Sequence, residues 1–188
     1  MRIIGGFLKG RKIFNPVDNS TRPLKDMVRE SIFNIIGHSK IESINLKKSI
    51  ILDLFSGTGS FGLECISRGA SKVFFFENYK KSYKILIKNI IKLNCVDKTY
   101  IYEKNAYDFF DTSEVKKVEF DLIFLDPPFN DYNISELIKN IKKYKILKKK
   151  GIIVIHRNKK TKENINKYIK ILRTENYGNS KIIFGKII

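Results

Sequence analysis

Asp53-Leu54-Phe55-Ser56-Gly57-Thr58-Gly59 ends the apolar run of residues 50–55 and leads into a helix-forming segment over 61–68. A short buried strand that breaks into a glycine turn and continues as a helix is the opening unit of an α/β sheet. Ligands of such sheets sit at the carboxyl ends of the strands, where this turn falls. Its glycines let the backbone come close to a ligand and adopt dihedrals closed to other residues.

The same alternation runs downstream. Strands are expected over 72–77, 99–102, 120–125 and 152–155, with helices over 79–93 and 134–144 and a helical turn over 106–110. Two closing strands, 168–173 and 181–187, flank Tyr177-Gly178-Asn179 and must run antiparallel because their link is short. The sheet is therefore mostly parallel, with helices on both faces. Upstream, residues 2–14 alternate apolar pairs with glycines and carry Arg2, Lys9, Arg11 and Lys12, a pattern that predicts a small basic hairpin. Residues 15–23 read as a linker. After Pro23, Leu24, Met27, Val28, Ile32, Ile35 and Ile36 share one helical face, with Lys25, Arg29 and Glu30 opposite and Gly37 at the end.

At 188 residues the chain reads as one domain, divided into an N-terminal part, 1–37, and a main part, 38–188. No apolar run has the length of a membrane span, and the first residues lack a signal-peptide pattern. Cys65 and Cys95 have neither metal nor disulfide-framework spacing, so a cytoplasmic setting is expected. His38 and His156, the two histidines, are far apart in sequence, and no metal site is expected. The 37 basic residues exceed the 19 acidic ones, a formal net charge of +18. That balance favours a polyanion, above all nucleic acid. AT-rich coding sequence also raises Lys, Ile and Asn, but does not explain why Asp and Glu failed to rise with them.

Gly57-Thr58-Gly59-Ser60-Phe61-Gly62 matches the dinucleotide fingerprint G-x-G-x-x-G, and Glu77 stands where a ribose-binding acid would. Asp53 before the turn argues against a pyrophosphate, which wants the opposite charge, and suits the sulfonium of S-adenosylmethionine. Asp126-Pro127-Pro128-Phe129, after the fourth strand, supplies what methyl transfer to a planar exocyclic nitrogen needs. Asp126 and the Pro127 carbonyl can each accept an N–H of the amine, and the prolines hold these acceptors in place. Phe129 offers a ring for the target base to stack on. The bland alternative is a rigid turn with Phe129 in the core; its coincidence with the glycine turn favours the catalytic reading. Asn105 can bond the adenine edge of the cofactor. His156-Arg157 ends the fifth strand, where an RNA contact and a structural role are both open. The Lys-rich stretch 139–150 reads as a solvated face.

With these motifs in place, the chain resembles the RsmD-type 16S rRNA guanine-N2 methyltransferases over almost its whole length. The resemblance rests on Arg2-Ile3-Ile4-Gly5-Gly6, Gly10-Arg11, Thr21-Arg22-Pro23 and Val28-Arg29-Glu30-Ser31-Ile32-Phe33-Asn34. It continues through residues 53–59, Gly62-Leu63-Glu64, Ser67-Arg68-Gly69-Ala70, Glu77, Asn105-Ala106 and residues 121–129. It implies a class I S-adenosylmethionine-dependent methyltransferase sheet, Rossmann-like and seven-stranded, with an antiparallel last strand and an N-terminal β-hairpin/helix extension. The cofactor would lie against Asp53, Phe55, Ser56, Gly57, Thr58, Gly59, Glu77, Asn78, Asn105 and Ala106. RNA would meet Arg2, Lys9, Arg11, Lys12, Arg22 and Arg29, the last two being the favoured phosphate contacts. The implied product is N2-methylguanine in 16S rRNA, at guanine 966 in the RNA's usual numbering, with the small ribosomal subunit or its assembly intermediate as partner; a single small domain of this kind is expected to be a monomer. Tyr79 stands where the family commonly has an acid. Competing readings are a DNA adenine-N6 methyltransferase, for which no recognition domain is evident, a protein glutamine methyltransferase, whose corner has Asn in place of Asp126, and a non-catalytic ribosome-assembly factor that binds RNA.

Overall fold

The protein is described by a computed structural model covering residues 1–16, 18, 24–38, 44–162 and 164–188. Its elements are α1 (Asp26–His38), β1 (Ile50–Leu54), α2 (Ser60–Ser67), β2 (Lys72–Phe76), α3 (Lys80–Lys92), β3 (Thr99–Tyr102), α4 (Ser113–Lys116), β4 (Phe120–Leu125), α5 (Ile134–Tyr144), β5 (Leu147–Asn158), β6 (Ile169–Tyr177) and β7 (Ser180–Ile187). The sheet runs β3-β2-β1-β4-β5-β7-β6. The neighbours from β3 to β5 pair in parallel, and β7 runs antiparallel to both β5 and β6. This is the class I methyltransferase arrangement expected of the chain.

The central strands are apolar at almost every position because both sheet faces are covered. Alternate residues divide between two cores. Ile51, Leu122, Phe124 and Val154 join α1, α2 and α3 in one. Leu52, Ile123, Leu125 and Ile155 join α5 in the other. Phe33, Phe61 and Phe124 stack in series in the first core, with ring centroids 5.1 and 3.8 Å apart.

The N-terminal segment belongs to that first core through Ile3, Leu8 and Ile13. The expected hairpin is reduced to one antiparallel bridge, Arg2 with Lys12, inside a loop closed by Ile3 N–H donating to the Arg11 carbonyl at 2.9 Å. Gly5 and Gly6 explain the shortfall. The chain turns there against α2, where Phe7 N–H donates to the Ser67 carbonyl at 2.8 Å. Strand β5 is longer than its apolar run. It starts at Leu147, so the Lys148-Lys149-Lys150 run is extended, held to β4 across a register shift between Phe120 and Leu122. Hydropathy misses this part because backbone pairing, not burial, makes it a strand. Among the described residues no helix is long and apolar enough to cross a membrane.

Candidate active site

The carboxyl ends of β1, β2 and β4 surround a cleft of about 480 Å³, within the size range of small-molecule sites. The turn after β1 forms one wall. Ser56 seats it: its N–H donates to the Phe76 carbonyl at 3.0 Å, and its Oγ donates to the Asp53 carbonyl at 2.6 Å. Phe55, Gly57 and Gly59 all lie in the left-handed region, at φ 65°, 56° and 82°. Such backbone is costly for Phe55 and is characteristic of turns shaped for a ligand. A side chain at Gly59 would collide with Leu86 of α3.

Glu77 follows β2 and holds the turn open. Its Oε2 accepts Gly57 N–H at 2.6 Å, and its Oε1 accepts Tyr79 N–H at 2.7 Å. Burial raises its carboxyl above the ordinary range, opposed by the N–H groups of Tyr79, Gly57 and Asn78. Asp53 is 1% exposed and uses Oδ2 to accept Gly62 N–H at 3.0 Å. Its Oδ1 is buried with no hydrogen-bond partner among the described residues. Burial pushes this carboxyl well up, the Gly62 bond opposes it, and Asp126 and Glu77 push it further. In a chain of +18, the cleft is lined by three carboxylates, Asp53, Glu77 and Asp126, and by no Lys, Arg or His among the described residues. A cationic ligand offering a donor to Asp53 Oδ1 fits this lining; a pyrophosphate does not.

The opposite wall is the Asp126-Pro127-Pro128-Phe129 corner, and all four residues line the cleft. Asp126 N–H reaches the Leu54 carbonyl at 3.4 Å, so the corner sits directly beside the turn after β1. Asp126 Oδ1 is 2.7 Å from His156 Nδ1, and His156 Nε2 is 2.9 Å from Ser180 Oγ. Arg157 donates from Nη1 to the Pro128 carbonyl at 2.9 Å and from Nη2 to the Asp131 carbonyl. Tyr107 donates to Asp131 Oδ1 at 2.6 Å, closing the loop from the other side. The Phe129 ring meets the His156 imidazole edge-on, centroids 5.7 Å apart.

The family described as "Conserved hypothetical protein 95" matches residues 1–186, nearly the whole chain. The chain belongs to this family, the RsmD family. Among its relatives, YlbH of Bacillus subtilis is 31% identical over 180 residues, 95% of this chain and 94% of that protein. Ribosomal RNA small subunit methyltransferase D of Buchnera aphidicola from Acyrthosiphon pisum is 35% identical over 159 residues, 84% of this chain and 78% of that protein. The solved Escherichia coli protein yhhF superposes with a TM-score of 0.81 at 27% identity, covering 100% of this chain and 97% of that one.

In this RsmD-family chain most of the expected cofactor residues converge: Asp53, Phe55, Ser56, Gly57, Thr58, Glu77 and Asn78 line the cleft, with Gly59 just behind them as the N-cap of α2. Asn105 and Ala106 do not line it. Asn105 accepts Tyr107 N–H and caps the 3₁₀ turn Ala106–Asp111, while Ala106 is buried in the α5-side core. Tyr79 lines the rim and donates its hydroxyl to Asp18 Oδ2 at 2.7 Å. Arg2, Lys9, Arg11 and Lys12 are exposed. Arg22 lies outside the described residues.

Arg29 requires a correction. Expected at an RNA phosphate, it is 0% exposed. Its Nη2 donates to the Arg2 carbonyl and to Asp26 Oδ1 at 2.9 Å, and its Nε lies 3.8 Å from Glu64. A guanidinium with no surface cannot meet a phosphate in this fold; it ties α1 to α2 and to the N-terminal loop. His156 and Arg157 are likewise inside, 2% and 0% exposed, rather than on an RNA face. Asn89 went unnoticed in the sequence. It accepts Phe14 N–H at 2.7 Å and donates to the Thr58 carbonyl at 3.0 Å, linking the N-terminal segment to the glycine turn. The available signal was its position on the apolar face of α3, between Leu86 and Ile90, where a polar group must find partners.

Proposed function

We propose that this protein transfers a methyl group from S-adenosylmethionine to the exocyclic N2 of a guanine in small-subunit rRNA, guanine 966 by resemblance. The observation that carries this reading is a single acidic cleft that joins the glycine turn to the Asp-Pro-Pro-Phe corner. The cofactor is S-adenosylmethionine, which supplies an electrophilic methyl on a sulfonium. Asp53 and Glu77 hold it through their carboxylates, and the backbone of residues 56–58 wraps it. Asp126 and the Pro127 carbonyl accept the two N–H groups of the target amine, orient its lone pair and stabilise the positive charge that grows on nitrogen. As the nitrogen–carbon bond forms the carbon–sulfur bond breaks, S-adenosylhomocysteine is the leaving group, and the methylated nitrogen gives its surplus proton to water. Phe129 stacks on the extruded base. The names of the curated relatives support rRNA of the small subunit as the substrate class. An rRNA substrate sets this chemistry in the cytoplasm.

Residues 1–37 then carry the RNA contacts and 38–188 the chemistry, within a monomer. Exposed Arg2, Lys9, Arg11 and Lys12 lie beside two exposed rings, Phe7 and Phe14, over which Lys98 and Lys92 sit at 5.2 and 4.3 Å. Basic groups interleaved with aromatic faces suit a nucleic acid with unpaired bases. Reversing charge at Arg11 and Lys12 together weakens binding to rRNA and lowers the slope of log affinity against log salt by about 1.5–2. Binding measured at several salt concentrations checks this; an unchanged slope moves the RNA footprint elsewhere.

The raised carboxyls at Asp53 and Glu77 predict a pH dependence. Both retain protons to higher pH in the folded chain than in the unfolded one. The stability of the ligand-free protein therefore falls as pH rises from the ordinary carboxylate range through their raised values. A cation bound in the cleft they line favours the ionised forms and displaces those protons. Its affinity rises over the same interval, by up to about tenfold per pH unit for each proton displaced. Calorimetry with S-adenosylmethionine shows this slope, and S-adenosylhomocysteine, which has no sulfonium, shows a smaller one. Equal slopes would remove the charge argument.

The decisive assay is methyl transfer from isotope-labelled S-adenosylmethionine to undermethylated small subunits, with free rRNA and duplex DNA alongside. Digestion to nucleosides and mass spectrometry identify the product. N2-methylguanosine from the small subunit is the expected result, and label confined to DNA adenine would overturn the assignment.

A further inference from the structure

Successive residues of a strand point to opposite faces, yet His156 and Arg157 at the end of β5 both reach the Asp126–Asp131 loop, which leaves the carboxyl end of the neighbouring strand β4. A buried imidazole and a buried guanidinium are expensive to desolvate, and an apolar pair would close β5 as well. Both send hydrogen bonds to one turn, His156 to the Asp126 carboxylate and Arg157 to the Pro128 and Asp131 carbonyls. We infer that His156 is the positioning residue for the Asp126 carboxylate, with Ser180 setting its ring and Arg157 fixing the Pro128 carbonyl behind it. The inference rests on the role proposed above for Asp126.

The chemistry of the partners places one proton. A carboxylate only accepts, so His156 Nδ1 carries the proton it donates to Asp126, while Nε2 meets Ser180 Oγ on the other side of the ring. Ser180 is the first residue of β7, paired with Asn158 of β5, so the ring is gripped between adjacent antiparallel strands. A carboxylate has about four acceptor directions, and one bond from an immobile donor sets its plane without exhausting it. Asp126 is thereby prevented from turning about its side-chain bonds when the target amine arrives. Misplacement of a reacting group by about an ångström can cost about a hundredfold in rate.

Binding of cofactor and of RNA does not pass through this bond, which separates positioning from a purely structural part. His156→Ala lowers kcat by about 10–100-fold, while KM for the RNA and cofactor affinity move by less than about threefold. His156→Asn, whose amide can donate from near the Nδ1 position, recovers kcat to within about tenfold of wild type, and Ser180→Ala loses only a few-fold. Wild-type kcat in His156→Ala overturns the inference. So does a loss that Asn fails to restore, or one matched by an equal loss of cofactor affinity. The tautomer is read on wild-type protein by long-range ¹⁵N–¹H spectra, which need no substrate and no variant that folds poorly. An Nδ1 that carries no proton overturns the inference whatever the reaction. Asp126→Ala measured in parallel keeps the two readings apart. Full turnover there removes the reading of the corner, whereas an inactive Asp126→Ala beside a fully active His156→Ala removes only the positioning role.

Discussion

Asp126→Ala lowers kcat for methyl transfer by about 10²–10³-fold and leaves cofactor affinity within about threefold of wild type. The lone pair of an aromatic amine is delocalised into its ring. The nitrogen becomes nucleophilic only when both N–H groups are drawn out of conjugation by fixed acceptors. Alanine removes one of the two and leaves the Pro127 carbonyl unable to fix the amine plane alone. The cofactor side of the cleft, built from Asp53, Glu77 and the turn after β1, is held by its own bonds to Gly62, Gly57 and Tyr79. Its affinity therefore survives. Asp126→Asn keeps one carbonyl acceptor and falls between the two, because its amide cannot satisfy His156 Nδ1–H as a carboxylate does. Steady-state methyl transfer to undermethylated small subunits, with calorimetry of cofactor binding, checks both halves. Wild-type turnover in Asp126→Ala would take the corner out of the mechanism.

Glu64→Ala destabilises the fold by about 3–5 kcal/mol, because it strips a buried charge network of a fully buried anion. Glu64 Oε2 accepts Ile4 N–H at 2.8 Å, its Oε1 accepts from Arg68 Nε at 2.8 Å, and Arg29 Nε lies 3.8 Å away. Burial lowers the Arg29 pKa, opposed chiefly by Glu64 and then by Asp26. Arg29 Nε and Nη1 already lack hydrogen-bond partners among the described residues, so removal of Glu64 leaves a desolvated cation held by the Arg2 carbonyl and the exposed Asp26. Glu64→Gln still accepts from Ile4 and loses less. Denaturant unfolding measures the difference, with a fall in thermal midpoint of roughly 10 °C for the alanine variant. A loss below about 1 kcal/mol would show that water or a neighbouring carbonyl takes over.

The catalytic expectation traces to motifs legible in the amino-acid sequence. Residues 53–59 read correctly as a glycine turn, and residues 126–129 as a rigid corner at the same cleft, because both are set locally: glycine dihedrals, proline rigidity and a carboxylate ending an apolar run. The alternation of apolar segments likewise dictated the sheet and its reversed last strand. The helix carrying Arg29 was the instructive failure. Helical spacing put that residue opposite the apolar face, yet the face opposite α1's apolar stripe is not solvent there; Arg2 and Glu64 cover it. Periodicity reports which side of a helix is apolar, not what packs against the other side.

His156 and Arg157 mark the same boundary. A polar pair after Ile152-Ile153-Val154-Ile155 is legible as unusual, but its partners are about 30 residues upstream and, for Ser180, about 24 downstream. Asn89 likewise joins Phe14 to Thr58 across three separate stretches of chain. By itself the sequence determined the order of strands and helices, the acidic and glycine-rich lip of the cleft, and the rigid corner facing it, since each is set by neighbours within a few residues. Only the tertiary structure decided which buried polar groups hold that corner still, because a hydrogen bond between distant residues exists only once the sheet has brought their strands side by side.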